Sequence, residues 1–413
     1  MEYEEAEPAA ADGNHPLAER MGVIAGFSHN IVVGCIFGTF SVMIAPMQQR
    51  LGVSTEAVSL GIPLVVIGST LMASVAGVLM ARYSLRLLLA AGAGLALAAF
   101  LLLAFTRSYP LYLLAYGALL GPAMALTGSV GPATLVTRWF SRNRGLALGL
   151  VHLPIVVAVL PMVTNWLQYF YGARLAYLLP AVLIGLVLLP LTLLAQDYPP
   201  GERAVAPEPA KASADDALSV GQFLVRPRFW ALAIGGSAVT TGSVLLGAVL
   251  VPMALSWGAD RGQAALLVTI MSLVGIGGSV LFGWIADRIG GVRGLALLCF
   301  DLAVLWGLLL LRPGFGMLAT IVGLLGLHGA GLVSNLSRSL ADAYGPANFS
   351  RTFGLATTLS LPLTVIAVLG SARAFTLTGS FVSAVIGMMA LNAGAAVIVL
   401  FAARRSTKNP VAA

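Results

Sequence analysis

Few ionisable side chains lie deep inside the long apolar segments of this chain. They include three histidines, His29, His152 and His328, and one carboxylate, Asp301. A histidine gains or loses a proton near neutral pH, and an ionisable residue at membrane depth is a functional candidate by default. We therefore predict that His29 or Asp301 carries a proton. For Asp301, a packing or partner role is the alternative.

Amides and a cation accompany these residues at helical spacing. Asn30 follows His29, while Asn335 and Arg338 follow His328 so as to share one broad helix face. An arginine in this place is suited to meet an anion. For His29 and Asn30, the alternatives are hydrogen bonds between helices or a position near the membrane interface. For Arg338, the alternative is an anchor in the headgroups. We predict that six residues bind a substrate: His29, Asn30, His152, His328, Asn335 and Arg338.

The composition excludes a soluble protein. Of 413 residues, 59% are hydrophobic and only 9% are charged, whereas a soluble domain carries about 25% charged residues. The chain is therefore a polytopic membrane protein with the lipid bilayer as a partner. The net charge of +7 does not indicate nucleic acid, because the cations punctuate apolar segments and form no basic face.

Apolar runs long enough to cross the hydrocarbon, about 20 residues each, occur twelve times. These runs are apolar all round, unlike the alternating strands of a β-barrel, so the fold class is an all-α polytopic membrane protein. The first half provides approximately 22–46, 57–80, 86–106, 110–136, 145–167 and 174–195. The second half provides approximately 229–252, 264–286, 293–311, 315–338, 352–373 and 378–402.

The cations fix the expected orientation. In the twelve-span arrangement, seventeen of the 23 Lys and Arg residues fall on one side of the membrane and six on the other. Lys and Arg are retained in the cytoplasm. We therefore predict a multi-pass protein of the cytoplasmic (inner) membrane with both termini in the cytoplasm.

A polar stretch divides the spans into two groups of six, and its Ala, Pro and charged residues are typical of a linker. The predicted organisation has five parts: a disordered cytoplasmic N-terminal tail (1–20), an N-terminal six-helix bundle (21–195), a cytoplasmic linker (196–228), a C-terminal six-helix bundle (229–403) and a cytoplasmic C-terminal tail (404–413).

The two halves repeat each other. The turn Gly77–Ser84 is a fainter copy, 206 residues earlier, of Gly283–Gly290, with Ala81 in the place of Asp287. Gly145–Leu160 also resembles Gly354–Leu369, at an offset of 209. Because six spans per half bring both halves to the same starting side, we predict two parallel repeats related by an axis along the membrane normal.

These turns resemble those of the major facilitator superfamily, which reads roughly Gly-x-x-x-Asp-Arg-x-Gly after the second and eighth helices. The resemblance covers essentially the whole chain. It implies twelve helices and a secondary transporter that works by alternating access. The turns would close the cytoplasmic mouth, and topology anchoring is the alternative for their arginines. The predicted gating residues are Arg82, Arg86, Gly283, Asp287 and Arg288.

A narrower resemblance lies in the segment Arg138–Gly149, which reads RWFSRNRGLALG. It is similar to the loop between helices four and five in the monocarboxylate transporter and oxalate/formate antiporter group. This resemblance implies a small organic acid as the substrate, often coupled to protons. The sequence departs from the group in having no Lys or Arg in span one and no acid–arginine pair in span eight, where Gly275 and Ser279 stand.

The predicted function is alternating-access transport of a small carboxylate-type organic anion, coupled to protons by symport, by a monomer. The alternative is export of a drug-like or less polar metabolite by proton antiport. We predict no enzyme, because the sequence has no nucleophile–base pair at plausible spacing. We also predict no cofactor and no metal site, because there is no Walker sequence and no metal-ligand cluster.

Overall fold

The apolar runs fold as helices because hydrocarbon leaves backbone amides no partner outside their own segment. The computed structural model describes residues 14–200 and 218–406. Within these residues, eleven helices are long and apolar enough to cross a membrane. One of them, Phe315–Thr378, runs for 64 residues, about 96 Å at the rise of an α-helix, or three times the hydrocarbon thickness. It contains two spans, and the chain therefore has twelve transmembrane helices in two repeats.

The first half consists of six helices with short connections. They are α1 (18–51), α2 (Gly61–Arg82), α3 (Leu85–Phe105), α4 (Tyr109–Trp139), α5 (Arg144–Tyr171) and α6 (Ala173–Leu193). A single turn, Thr55–Ser59, precedes α2.

The second half repeats this order. Its helices are α7 (Pro227–Ser256), α8 (Arg261–Ile289), α9 (Gly291–Leu308), α10 (315–344), α11 (346–378) and α12 (Val382–Ser406). Gly345 separates α10 from α11 with φ 73° and ψ 166°, a conformation that glycine adopts without a Cβ clash. Pro346 follows and starts α11, since proline is tolerated in the first turn of a helix.

The predicted boundaries need three corrections. Residues 14–20 were expected in a disordered tail, but Asn14 accepts hydrogen bonds from the Ser141 and Arg142 amides and α1 begins at Ala18. The expected linker contains a helix, Val220–Leu224, because Ser219 and Gln222 form a capping box. The last helix continues to Ser406. The rest of the predicted tails and linker, residues 1–13, 201–217 and 407–413, lies outside the described residues.

The two halves are joined at one end of the bundle, which we call the closed end. It comprises residues 73–83, 139–149, 279–290 and 335–354. One cluster of buried apolar side chains runs through it and includes Met80 of the first half and Phe353 of the second. A second buried cluster, around Phe100, belongs to the first half alone. The halves therefore share a core at the closed end and keep separate cores away from it.

Helix contacts at the closed end give the register of the repeat. Gly149 packs against the backbone of Ser279 in α8, and Gly354 packs against the backbone of Ala73 in α2. Ala73 and Ser279 are 206 residues apart, so Gly149 and Gly354 are the equivalent pair. The sequence alignment of Gly145 with Gly354 is therefore wrong by four residues, one helical turn, because apolar residues recur at each turn and match in several registers.

Candidate functional site

A cavity of about 710 Å³ lies between the two halves. The first half contributes residues of α1 and α5, and the second half contributes residues of α7, α8 and α10. Of the described lining residues, none is Lys, Arg, Asp or Glu. The polar side chains of the lining are His29, His152, Thr240, Ser243, Ser272 and Ser279. The cavity therefore has an apolar wall with two imidazoles on the side of the first half.

His29 and His152 face each other across α1 and α5, with ring centroids 4.4 Å apart. Nδ1 of His29 lies 2.5 Å from the Gly128 carbonyl oxygen, and Nδ1 of His152 lies 2.8 Å from the Leu148 carbonyl oxygen. A carbonyl only accepts, so each Nδ1 carries a proton and donates it. Each Nε2 then has a free lone pair in the neutral ring and becomes a donor when the ring is protonated.

A break in α5 places His152 beside the cavity. The helix stops at Val151 and resumes at Ile155, because Pro154 has no amide proton and disfavours helical geometry in the residue before it. Asn30 repairs the break: its Oδ1 accepts from the Ile155 amide at 3.0 Å, and its Nδ2 donates to the Val151 carbonyl at 3.3 Å. Asn30 was predicted to bind substrate. In the structure, its side-chain amide instead forms hydrogen bonds with the backbone on both sides of the break in α5.

The hydroxyl groups on the second-half wall bond mainly to their own helices. Thr240 donates to the Gly236 carbonyl at 2.9 Å, Ser243 to the Val239 carbonyl at 3.0 Å and Ser272 to the Val268 carbonyl at 2.9 Å. In each case the oxygen can still accept a hydrogen bond. Ser279 differs, because its buried Oγ has no hydrogen-bond partner among the described residues.

The closed end contains an ionic contact across the halves. Asp287, at the end of α8, accepts from the amides of Gly145 and Leu146, each at 2.8 Å. These amides belong to the first turn of α5, where the helix dipole favours a negative charge. Gly145 and Gly283 pack backbone to backbone beside this contact, and a Cβ on either would overlap the carbonyl of the other.

Arg338 of α10 completes this contact. Its Nη1 lies 3.1 Å from Oδ1 of Asp287, and its Nε lies 3.0 Å from Oδ1 of Asp342. Asp342 in turn accepts from the Gly291 amide at the start of α9. Arg338 was predicted to meet the substrate, but it is paired with two carboxylates and is absent from the described lining of the cavity.

In the equivalent contact between α2 and α11, the described residues include no carboxylate. Ser350 donates to the Gly77 carbonyl at 3.0 Å, Ser74 donates to Thr358 Oγ1 at 2.8 Å, and Thr358 donates to the Thr70 carbonyl at 2.6 Å. Gly77 packs directly on the backbone of Ser350, so a side chain there would overlap it. Three hydroxyl groups therefore join these helices where the other pair uses an acid.

The predicted gating residues divide into two groups. Gly283 and Asp287 lie in the contact between the halves. Arg82 and Arg86 are exposed, and Arg288 is exposed and stacks on the Trp284 ring, 3.9 Å from its centroid. The described contacts of Arg288 are thus on the surface of α8 rather than across the halves.

Two predicted binding residues lie on other faces of α10. His328 Nε2 is 3.3 Å from Asp301 Oδ2, and this pair is not among the described lining of the cavity. Asn335 donates to the Phe282 carbonyl at 3.3 Å and to the Gly331 carbonyl at 2.9 Å, which ties α10 to α8. The His328–Asp301 pairing is a contact that sequence reasoning missed, although both residues had been singled out.

Sequence reasoning also missed the partners of Asp287. The spacing of Gly145 and Gly149, four residues apart, could have indicated a close helix contact, since small residues at that interval form one face. Nothing local indicated that the amides of Gly145 and Leu146 would meet a carboxylate 141 residues or more away in the chain. In the part of the chain that the structure describes, no group of three His, Cys, Asp or Glu residues could hold a metal.

Two six-helix halves around a cavity, with a shared core at one end only, form the architecture of a multi-pass membrane transporter. The chain belongs to the Major Facilitator Superfamily, whose profile matches residues 27–245. This family consists of membrane transporters of small molecules, not enzymes.

Individual relatives agree with this assignment. The chain is 24% identical to the oxalate:formate antiporter of Oxalobacter formigenes over 314 residues, 75% of this chain and 73% of that protein. It is 27% identical to human monocarboxylate transporter 12 over 227 residues, 48% of this chain and 43% of that protein. The fold matches the crystal structure of the E. coli fucose:proton symporter FucP with a TM-score of 0.71 at 14% identity, covering 92% and 98% of the two chains.

Proposed function

We propose that the protein is a secondary transporter that moves a small carboxylate-type organic anion together with a proton. The observation that carries this proposal is the pair His29–His152 in a cavity whose other described lining residues are uncharged. Two relatives of the chain, an oxalate:formate antiporter and monocarboxylate transporter 12, support this proposal.

The protonation state of the histidine pair couples proton binding to anion binding. When both rings are neutral, each Nε2 presents a lone pair, which repels a carboxylate oxygen. Protonation of one ring converts its Nε2 into a charged donor, and hydrogen bonds between ions are stronger than neutral ones. Binding of the proton and of the anion therefore favour each other by the same free energy.

Alternating access would follow from rocking of one half against the other around the cavity. The contacts of Asp287 with α5, and of Thr358 with α2, would have to break for the closed end to open. The distribution of cations predicts that this end and both termini lie in the cytoplasm. We further propose that the protein acts as a monomer in the cytoplasmic (inner) membrane. In this orientation the cavity receives its substrate from outside the cell.

Reconstituted protein offers the direct test. Uptake of radiolabelled formate, lactate, oxalate and phenylacetate is measured in liposomes with an acidic exterior. We expect concentrative uptake of at least one of them, abolished when the pH gradient is dissipated. His29→Ala and His152→Ala should each lower this uptake at least about tenfold, the effect of removing a charged hydrogen bond of about 1.5 kcal/mol.

His15→Ala is the matched control, because His15 packs against Trp139 outside the cavity. It should leave uptake unchanged at equal protein content. Uptake that survives both cavity substitutions would refute the role of the histidine pair, and no uptake of any of the four acids would refute the carboxylate class.

Export of a less polar metabolite by proton antiport is the second candidate. It is favoured by the absence of Lys and Arg from the described lining of the cavity, since a neutral substrate needs no cation. Liposomes with an acidic interior and a lipophilic dye outside distinguish the two. Dye accumulation without carboxylate uptake would establish this alternative.

A further inference from the structure

A carboxylate and an imidazole meet inside the second half, away from the cavity. Nε2 of His328 on α10 lies 3.3 Å from Oδ2 of Asp301 on α9. Nδ1 of His328 lies 2.7 Å from the Leu324 carbonyl oxygen one turn earlier, and it must be the donor there. The remaining nitrogen, Nε2, therefore faces the carboxylate.

A hydrogen bond between these two atoms needs a proton between them. Without it, the lone pair of Nε2 would point at an ionised carboxylate, and no hydrogen bond would form. With one proton, the pair is either an imidazolium–carboxylate ion pair or a carboxylic acid that donates to a neutral imidazole. Both arrangements are neutral overall, and the proton belongs to the pair rather than to either residue.

Asp301 lies at membrane depth beside an apolar face of α9. Asp301 lies ten residues after the start of α9, about 15 Å along the helix and near the middle of the hydrocarbon. Leu297, Phe300 and Val304, on neighbouring positions of α9, are large exposed apolar residues. An ionised carboxylate beside such a face is costly unless it is paired, and His328 is the described partner of Asp301.

The other described titratable groups on the helices around α9 lie away from the Asp301–His328 pair along their helices. The helices packed against α9 are α7, α8, α10 and α12. Besides His328, their described titratable residues lie towards helix ends: Arg228, Asp287, Arg288, Arg338, Asp342 and Tyr344. Against His328, α8 presents the Phe282 ring, 4.7 Å between centroids. On α9 itself, Cys299 donates to the Gly235 carbonyl.

His328 also borders a break in α10 that reaches the cavity. The helix ends at Ala330 and resumes at Leu332, and the Gly331 amide donates to the His328 carbonyl at 3.1 Å. Gly329, Ala330 and Leu332 line the cavity. The residue that meets Asp301 is therefore part of the same turn as the cavity wall.

We propose that Asp301 and His328 form a second proton-binding site, which fastens α9 to the broken segment of α10 that lines the cavity. Deprotonation removes the hydrogen bond between the two helices and loosens this wall. The site is independent of the histidine pair in the first half.

The test uses full-length protein in lipid nanodiscs with isotope-labelled His and Asp, and no substrate. The chain has four histidines, so His328 can be assigned with a His328→Gln variant. We expect Nε2 of His328 and the carboxyl carbon of Asp301 to change together in one pH transition. In Asp301→Asn, this joint transition should be lost, because asparagine cannot share the proton.

Asp260→Asn is the matched control, because it removes a carboxylate from the distant start of α8. It should leave the His328 transition in place. Separate transitions of Asp301 and His328 in the wild type would overturn the proposal, and so would an unchanged His328 transition in Asp301→Asn. The wild-type measurement decides the matter even where Asp301→Asn does not fold.

Hydrogen exchange tests the link to the cavity. Exchange at 329–332, corrected for its intrinsic pH dependence, should rise across the transition in the wild type and stay high in His328→Gln. A corrected exchange rate at 329–332 that did not change across the His328 transition would refute the link between the Asp301–His328 site and the cavity wall. Because no substrate is added, these outcomes are independent of whether the protein carries carboxylates.

Discussion

The α5–α8 and α2–α11 contacts share a backbone geometry and differ in their polar chemistry. In both, a glycine at an equivalent position, Gly283 or Gly77, packs on the backbone of the opposite half. Beside Gly283, Asp287 binds two amides and Arg338. Beside Gly77 the equivalent position is Ala81, and hydroxyl groups make the contacts.

The difference shows that close approach and polar attachment are separable. Glycine sets how near the helices come, because a side chain at that position would overlap a carbonyl. The acid or the hydroxyl groups then set how strongly they hold. We therefore expect the two contacts to respond alike to lost glycine and unlike to lost polar groups.

One distance reports on both contacts. Spin labels at Tyr83 and Ile289, which are exposed and lie on different halves near the closed end, measure its opening. The two native cysteines, Cys35 and Cys299, are buried and unpaired, so the measurement uses a background in which both are alanine.

The largest effect is expected from Gly283→Val. The added side chain overlaps the Gly145 backbone, and overpacking of this kind costs about 3 kcal/mol. The label distance should lengthen, and any carboxylate uptake should fall by about two orders of magnitude. Gly77→Val should do the same. Gly94→Val is the control, because a Cβ there meets nothing within 4 Å. If the label distance stayed as short in both Gly283→Val and Gly77→Val as in the wild type, glycine would not be what sets the approach of the helices.

Asp287→Asn should have the next largest effect. It keeps one acceptor but removes the charge that meets the α5 amides and Arg338. Charged hydrogen bonds contribute about 1.5–3 kcal/mol, so the ratio of closed to open protein should fall by about 30-fold for a loss of 2 kcal/mol. Ala81→Asn, at the equivalent place, should change it little. Equal effects of Asp287→Asn and Ala81→Asn would show that the Asp287 carboxylate does not stabilise the closed end.

The smallest effect is expected from Thr358→Val. It removes one hydroxyl group that joins α11 to α2, at a cost of about 1 kcal/mol. Thr357→Val is its neighbour and control, because Thr357 bonds within its own helix to the Phe353 carbonyl. A shift in label distance larger than that of Asp287→Asn would reverse the order of the two contacts.

Some residues of the candidate site could be predicted from sequence patterns, and others could not. The turn at Gly283 and the acid at Asp287 were recognised because glycine and charge interrupt apolar runs. His29 and His152 were also found as rare polar groups, and the cavity brings them together. Arg338 was predicted to bind substrate because its spacing from His328 puts both residues on one face of a helix. The spacing does not show which neighbour that face contacts. The two carboxylate partners of Arg338 come from α8 and from the next turn of its own helix.

The number of spans, their division into two halves and the membrane environment could all be predicted from the amino-acid sequence. These follow from length, apolarity and charge, which act locally along the chain. The sequence could not reveal which polar groups face the cavity, which close one end, or that Asp301 meets His328. Those contacts depend on how each helix is rotated about its axis, and in an apolar helix that rotation is set by packing against neighbours that are distant in the sequence.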